Sequence, residues 1–176
     1  MTSASHRSPP TQQQFHQAIS SGADVWFGAC FRITGDASLA QDAVQDALLN
    51  AWRKRRQFQG TARLETWIHR IAINSAIAVV RKHRPERWQP LDEEPEAATR
   101  SPLEAVIDEQ MYGDLGQALS QLSDMERVCF VMKHLEEFRL KDIAVALDTS
   151  VGPVKQALFR ALGKLRNRMT SLKGEV

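Results

Sequence analysis

The stretch LKDIAVALDTSVGPVKQALFRALGKLR, residues 140–166, decides the fold. Leu140, Ile143, Ala144 and Leu147 recur at helical spacing, Asp148-Thr149-Ser150 break the pattern, and Val154, Leu158, Ala161, Leu162 and Leu165 resume it. The spacing predicts two short helices joined by a tight polar turn, each burying the other's apolar stripe. Ser150 is placed to cap the second helix. Pro153 falls in its first turn, where a missing N–H removes no intrahelical bond. The outward side of that helix offers Lys155, Gln156, Phe159, Arg160 and Lys164 and no acidic residue, a set of base-edge readers and phosphate neutralisers suited to a DNA major groove. Helical bundles that never touch DNA also contain such hairpins, so the rest of the chain has to decide.

Outward from this hairpin, charge divides the chain. The formal net charge is only +2, but it is unevenly spread. Six basic residues and no acid lie between Lys155 and Lys173, and Arg53-Lys54-Arg55-Arg56 and Arg81-Lys82-His83-Arg84 form two further basic clusters. Between them, Glu86 to Glu109 holds eight acids against Arg87 and Arg100, and Pro85, Pro90, Pro95 and Pro102 disfavour continuous helix there. Residues 85–106 therefore read as a flexible acidic linker between two small domains, 12–84 and 107–170, preceded by a loose, disordered tail over 1–11. At 176 residues and 43% hydrophobic, the chain can bury one core or two small ones. No apolar run is long enough to span a bilayer, and the N-terminus lacks the apolar centre of a secretion signal. Cys30 and Cys129 sit in apolar company as small hydrophobes, which fits a reducing cytoplasm better than a disulfide.

Almost everything outside the linker reads helical, so the class is all-α. The front domain is expected to hold helices over about 12–34, ended by Gly35, about 37–57, capped by Asp36 or Ser38, and about 63–84. The rear domain is expected to hold one over about 104–121, one from Ser123 or Asp124 to about 136, and then the hairpin. The second helix has an apolar stripe of Ala40, Val44, Ala47, Leu48, Ala51 and Trp52. A separate stripe of Asp42, Gln45, Asp46, Leu49 and Arg53 has no core to enter. Two carboxylates, an amide and a stranded leucine suit docking of a basic helical partner; the alternative is an ordinary solvated face. The third helix has an inward stripe of Leu64, Ile68, Ile71, Ala72, Ser75 and Val79. Beside it runs Arg63, Trp67, Arg70, Asn74, Ile77 and Arg81, whose aromatic, amide and guanidinium groups suit unpaired DNA. Trp67 has two readings, stacking platform or plain core. The glycine turn Phe58-Gln59-Gly60-Thr61-Ala62 before this helix is shaped to wrap an extruded base.

Here the residues carry a family resemblance. The run Asp42-Ala43-Val44-Gln45-Asp46-Ala47-Leu48, then Trp52, Phe58-Gln59-Gly60, Thr66-Trp67-Ile68-His69-Arg70-Ile71-Ala72-Ile73-Asn74 and Arg81, resembles region 2 of bacterial sigma factors of the extracytoplasmic-function group in the sigma-70 family. Leu119-Ser120-Gln121-Leu122, Arg127, Asp142-Ile143-Ala144, Val154 to Ala161 and Leu165-Arg166 resemble their region 4. Departures are Ser123 where the family often has proline, Ala78 where a polar or acidic residue is frequent, and Pro153 where threonine is usual.

The resemblance implies a three- or four-helix bundle for region 2, a four-helix domain with a helix-turn-helix for region 4, and a dissociable initiation subunit of RNA polymerase. By position, Asp42, Gln45, Asp46 and Leu49 would dock on the coiled coil of the largest polymerase subunit. Phe58, Arg63, Trp67, Arg70, Asn74 and Arg81 would hold the melted minus-10 element, and Lys155, Gln156, Phe159, Arg160 and Lys164 the minus-35 duplex. Region 4 would also contact the polymerase flap, an anti-sigma partner is usual for the group, and the work would be cytoplasmic, on the nucleoid when polymerase is bound. A linker of about 22 extended residues spans at most about 75 Å, enough for promoter elements separated by roughly 70 Å.

No catalytic residue, cofactor or metal is expected. The chain lacks a phosphate-cradling glycine loop and a nucleophile with its base, and its five histidines are scattered. Two other readings are a stand-alone helix-turn-helix regulator, for which no heptad seam offers a dimer, and a helical protein-binding adaptor, which leaves the aromatic and basic stripe unexplained.

Overall fold

The computed structural model describes residues 8–88 and 113–173. The predicted linker is therefore described only to residue 88. Its remainder, the first part of the helix predicted from 104, and residues 1–7 of the tail lie outside the described residues.

The front domain is built from α1 (Gln12–Thr34), α2 (Ala37–Arg53) and α3 (Leu64–His83). α1 starts sharply because Thr11 and Gln14 satisfy each other's backbone N–H groups in a capping box. It stops at Gly35, whose φ of 61° places it in the left-handed region that closes a helix, with its N–H donating to Phe31 O at 2.7 Å. The tail expected over 1–11 thus ends in an ordered cap, and Pro10 is buried against the bundle. Asp36, not Ser38, caps α2 by accepting from Leu39 N at 2.8 Å. α2 is shorter than expected, giving way after Lys54 to a 3-10 turn, Arg55–Gln57.

The buried face of α2 is all alanine, Ala40, Ala43, Ala47 and Ala51, so α1 and α3 can approach its backbone closely. They fill the space with Trp26, Phe31 and Ile33 from α1 and Ile68, Ile73, Ala76 and Val80 from α3. Gly22 leaves room for the Trp26 indole: a Cβ there would lie 2.4 Å from the ring. Two residues move relative to expectation, the first being Trp52, placed on the apolar stripe of α2 but 38% exposed. Ile77, placed on the nucleic-acid stripe of α3, is 2% exposed, because α3 packs against two helices and its buried arc is wider than one stripe.

The rear domain follows as α4 (113–120), α5 (Asp124–Phe130), α6 (Leu140–Ala146) and α7 (Val151–Lys173). Ser123 caps α5 in a second capping box with Glu126, a role that proline cannot fill. α5 continues to Leu135 as a π-helical turn, Val131–Leu135. Ile143, Ala144 and Leu147 pack on Val154, Ala157, Leu158 and Ala161, as the hairpin predicts. Leu162, assigned to the same stripe, is 42% exposed, because Ala157 and Ala161 define a narrower contact.

The two domains touch through polar groups. The carbonyl of Thr34, at the end of α1, accepts from Arg84 at 3.0 Å and from Arg127 at 3.4 Å, and Arg84 also meets Asp124 at 3.4 Å. Cys30 and Cys129 are free and buried; burial pushes both thiols up to about 12. Among the described residues no helix is long and apolar enough to cross a membrane.

Candidate polymerase and nucleic-acid surfaces

Asp42, Gln45, Asp46 and Leu49 are all exposed along one side of α2. Leu49 is 55% exposed even though the opposite face of the helix is closely packed. A leucine more than half out of the core leaves apolar area free for a partner beside the carboxylates of Asp42 and Asp46.

The stripe on α3 is more varied. Arg63 precedes the helix, is fully exposed, and lies 3.5 Å from Glu65. Trp67 is half-buried: one side packs on the core, and its ring meets Phe58 at 5.4 Å. Trp67 is thus partly a core residue, with part of its ring left accessible. Arg70 and Asn74 are exposed, one helical turn apart. Arg81 is half-buried, with its guanidinium 5.0 Å from the Trp88 ring. The loop before α3 turns at Gly60, whose φ of 66° lies in the left-handed region that glycine enters without steric cost. A cavity of about 320 Å³ opens beside it, lined by Pro10, Gln14, Gln17, Phe58, Leu64 and Glu65 among others.

On α7, Lys155, Gln156 and Phe159 point outward, Phe159 at 80% exposure, with Arg160 half-buried beside them. Lys164 differs from its expected outward role: its Nζ lies 2.9 Å from the buried Glu126 carboxylate. Among the described residues no group of three or more His, Cys, Asp or Glu could hold a metal ion.

Sequence reasoning missed the joint between the domains. Glu136, directly after the π-helical turn, accepts from Arg32 Nη2 at 3.1 Å and lies 2.5 Å from His69 Nε2. Burial alone would raise its carboxyl, but hydrogen bonds from His69 and Arg32 outweigh that and hold it below the ordinary carboxylate value. Two residues on, the Phe138 ring lies 5.7 Å from the Arg70 guanidinium. Nothing in helical periodicity marks Glu136, because its partners lie in the other domain.

Comparison with known proteins shows the family. Residues 23–86 match the family described as Sigma-70 region 2, and residues 112–165 match Sigma-70, region 4. The chain is 28% identical to the ECF RNA polymerase sigma factor SigW of Bacillus subtilis, over 92% of this chain and 91% of that protein. It is 31% identical to the RNA polymerase sigma-H factor of Pseudomonas aeruginosa, over 76% and 75% of the two chains. With the ECF sigma factor SigL of Mycobacterium tuberculosis it shares 30% over 85% of each. Among solved structures, the sigma factor RpoE of Bartonella quintana, crystallised with the anti-sigma factor NepR, has a similar fold, with a TM-score of 0.59 at 20% identity over 90% of this chain and 98% of that one. The chain belongs to the extracytoplasmic-function group of sigma-70 family RNA polymerase sigma factors.

Proposed function

We propose that this sigma factor divides its labour among the three surfaces just described. Asp42, Gln45, Asp46 and Leu49 dock on the coiled coil of the largest subunit of core polymerase, matching carboxylates to a basic helical partner. Phe58, Arg63, Trp67, Arg70, Asn74 and Arg81 take the non-template strand of the minus-10 element, with one unstacked base in the cavity beside Gly60. Lys155, Gln156, Phe159 and Arg160 enter the minus-35 major groove. Lys164, tied to Glu126, orients α7 more than it neutralises phosphate. Region 4 also meets the polymerase flap.

The mechanism is energetic capture. Melted promoter DNA is rare at equilibrium, and binding free energy spent on its non-template strand raises that population without bond chemistry or nucleotide hydrolysis. The acidic linker, most of it outside the described residues, competes with nucleic acid for basic surfaces and so suppresses promoter binding by the free chain. RpoE of Bartonella quintana was solved with an anti-sigma factor, and we assign this chain a partner of the same class. It works where polymerase works, in the cytoplasm and on the nucleoid.

The observation that carries this reading is the exposure of the four α2 residues along one side while the buried face of that helix is all alanine. Replacement Asp46→Lys should lower affinity for core polymerase about tenfold or more, whereas Asn74→Ala should leave core binding intact and impair strand opening. Core binding is measured by fluorescence anisotropy and opening by permanganate footprinting. Equal loss of core affinity in both variants would refute the division of labour.

A further inference from the structure

Glu136 occupies a site whose chemistry the proposed function does not use. Its side chain is 8% exposed, and two donors from different helices, Arg32 on α1 and His69 on α3, converge on its two oxygens. A guanidinium and an imidazole N–H aimed at one point make a seat for an oxyanion, with the carboxylate as its occupant. The seat lies on the face of α3 next to the minus-10 stripe, about 100° round the helix from Arg70. Phe138, two residues from Glu136, has its ring 5.7 Å from the guanidinium of Arg70, which stays exposed. Glu137 between them has a φ of 57°, a left-handed turn unusual for a side-chain-bearing residue, and both of its neighbours reach region 2. One loop of region 4, residues 136–138, thus bridges His69 and Arg70 on neighbouring faces of α3.

We propose that Arg32 and His69 form a binding seat for a backbone phosphate of the melted promoter strand, and that Glu136 fills this seat in the closed molecule, so that strand and region 4 compete for it. The proposal rests on the reading of the α3 flank as the minus-10 surface. A phosphodiester carries one negative charge on oxygens that accept from the same donors as a carboxylate. A strand whose bases stack at Trp67 and meet Asn74 passes Arg70, and a backbone phosphate on that edge of the stripe is the one within reach of the seat. The carboxylate is tethered in the same chain, so its effective concentration is on the order of millimolar, and a free oligonucleotide is held off until the domains part.

The test uses the full chain without polymerase and a fluorescent twelve-nucleotide oligothymidylate. Substitution Glu136→Gln keeps the side chain's shape and removes its charge; it should tighten binding about tenfold. Adding Arg32→Ala or His69→Ala to that variant should abolish most of the gain. No gain in Glu136→Gln, or a gain retained in both double variants, overturns the proposal. The wild-type chain supplies a second measurement should Glu136→Gln fold poorly. Dyes on Ser38→Cys and Lys141→Cys, both exposed positions, should move apart at saturating oligonucleotide; an unchanged distance overturns the competition. Substitution Trp67→Ala in the Glu136→Gln background separates the two levels of the argument. If it leaves oligonucleotide binding intact, the reading of the α3 flank has failed; if it abolishes binding while Arg32→Ala and His69→Ala do not, only the seat has failed.

Discussion

Region 2 and region 4 hold their shapes by different means. Region 2 packs three long helices through alanines and large apolar side chains, and its fully buried groups are nearly all hydrocarbon. Region 4 uses shorter helices in α5 and α6, fastened by charged groups: Glu126 closes the α5 capping box and holds Lys164, and the buried Arg127 donates Nε to Leu119 O at 3.1 Å. A rigid hydrocarbon scaffold suits a domain that must keep two different stripes in fixed relation. A domain fastened by specific polar contacts depends on each partner being present, because an unpaired buried charge is costly.

The comparison can be broken most forcefully in region 2. Substitution Trp26→Ala should lower stability by about 3–5 kcal/mol, read by urea denaturation, because it empties the largest fully buried side chain. If region 4 were the more apolar unit, the same loss would instead follow truncation of Val154. In region 4, Glu126→Ala should cost about 1–3 kcal/mol by removing a cap and a buried acceptor together; Glu126→Gln should recover much of the cap but leave Lys164 without its charge partner.

Acid should loosen the joint. The Glu136 carboxyl is held below its ordinary value in the folded chain, so its contribution is fully present above the ordinary carboxylate range and is lost as pH falls through the depressed value. Small-angle scattering should then show the domains separating while helical circular dichroism persists; loss of helix and compactness together would contradict this. The smallest effect is expected from Glu137→Gly. It relieves a left-handed φ of 57° at the expense of chain entropy, for a net gain under about 1 kcal/mol in thermal unfolding.

Much of this was legible in the sequence, for local reasons. The α1 boundaries follow from a capping residue and a glycine, and the hairpin follows from two apolar stripes around a polar turn. The α2 stripe was legible because its side chains have nowhere to pack. Other features depend on partners far along the chain. Ile77 is buried because α3 faces two helices at once, which a single stripe does not encode. Lys164 turns toward Glu126, 38 residues away. Glu136 was silent, because its role arises only when a π-helical turn in one domain is laid against two helices of the other.

The buried thiols carry a consequence for signalling. Cys30 and Cys129 are the only cysteines in the chain, and each is shielded from solvent with its thiol held near 12, so almost no thiolate exists at neutral pH. Peroxide or a disulfide reagent finds no nucleophile to oxidise at either position while the fold is intact. Oxidants that act on thiols therefore have no sensor at these two positions in the folded chain.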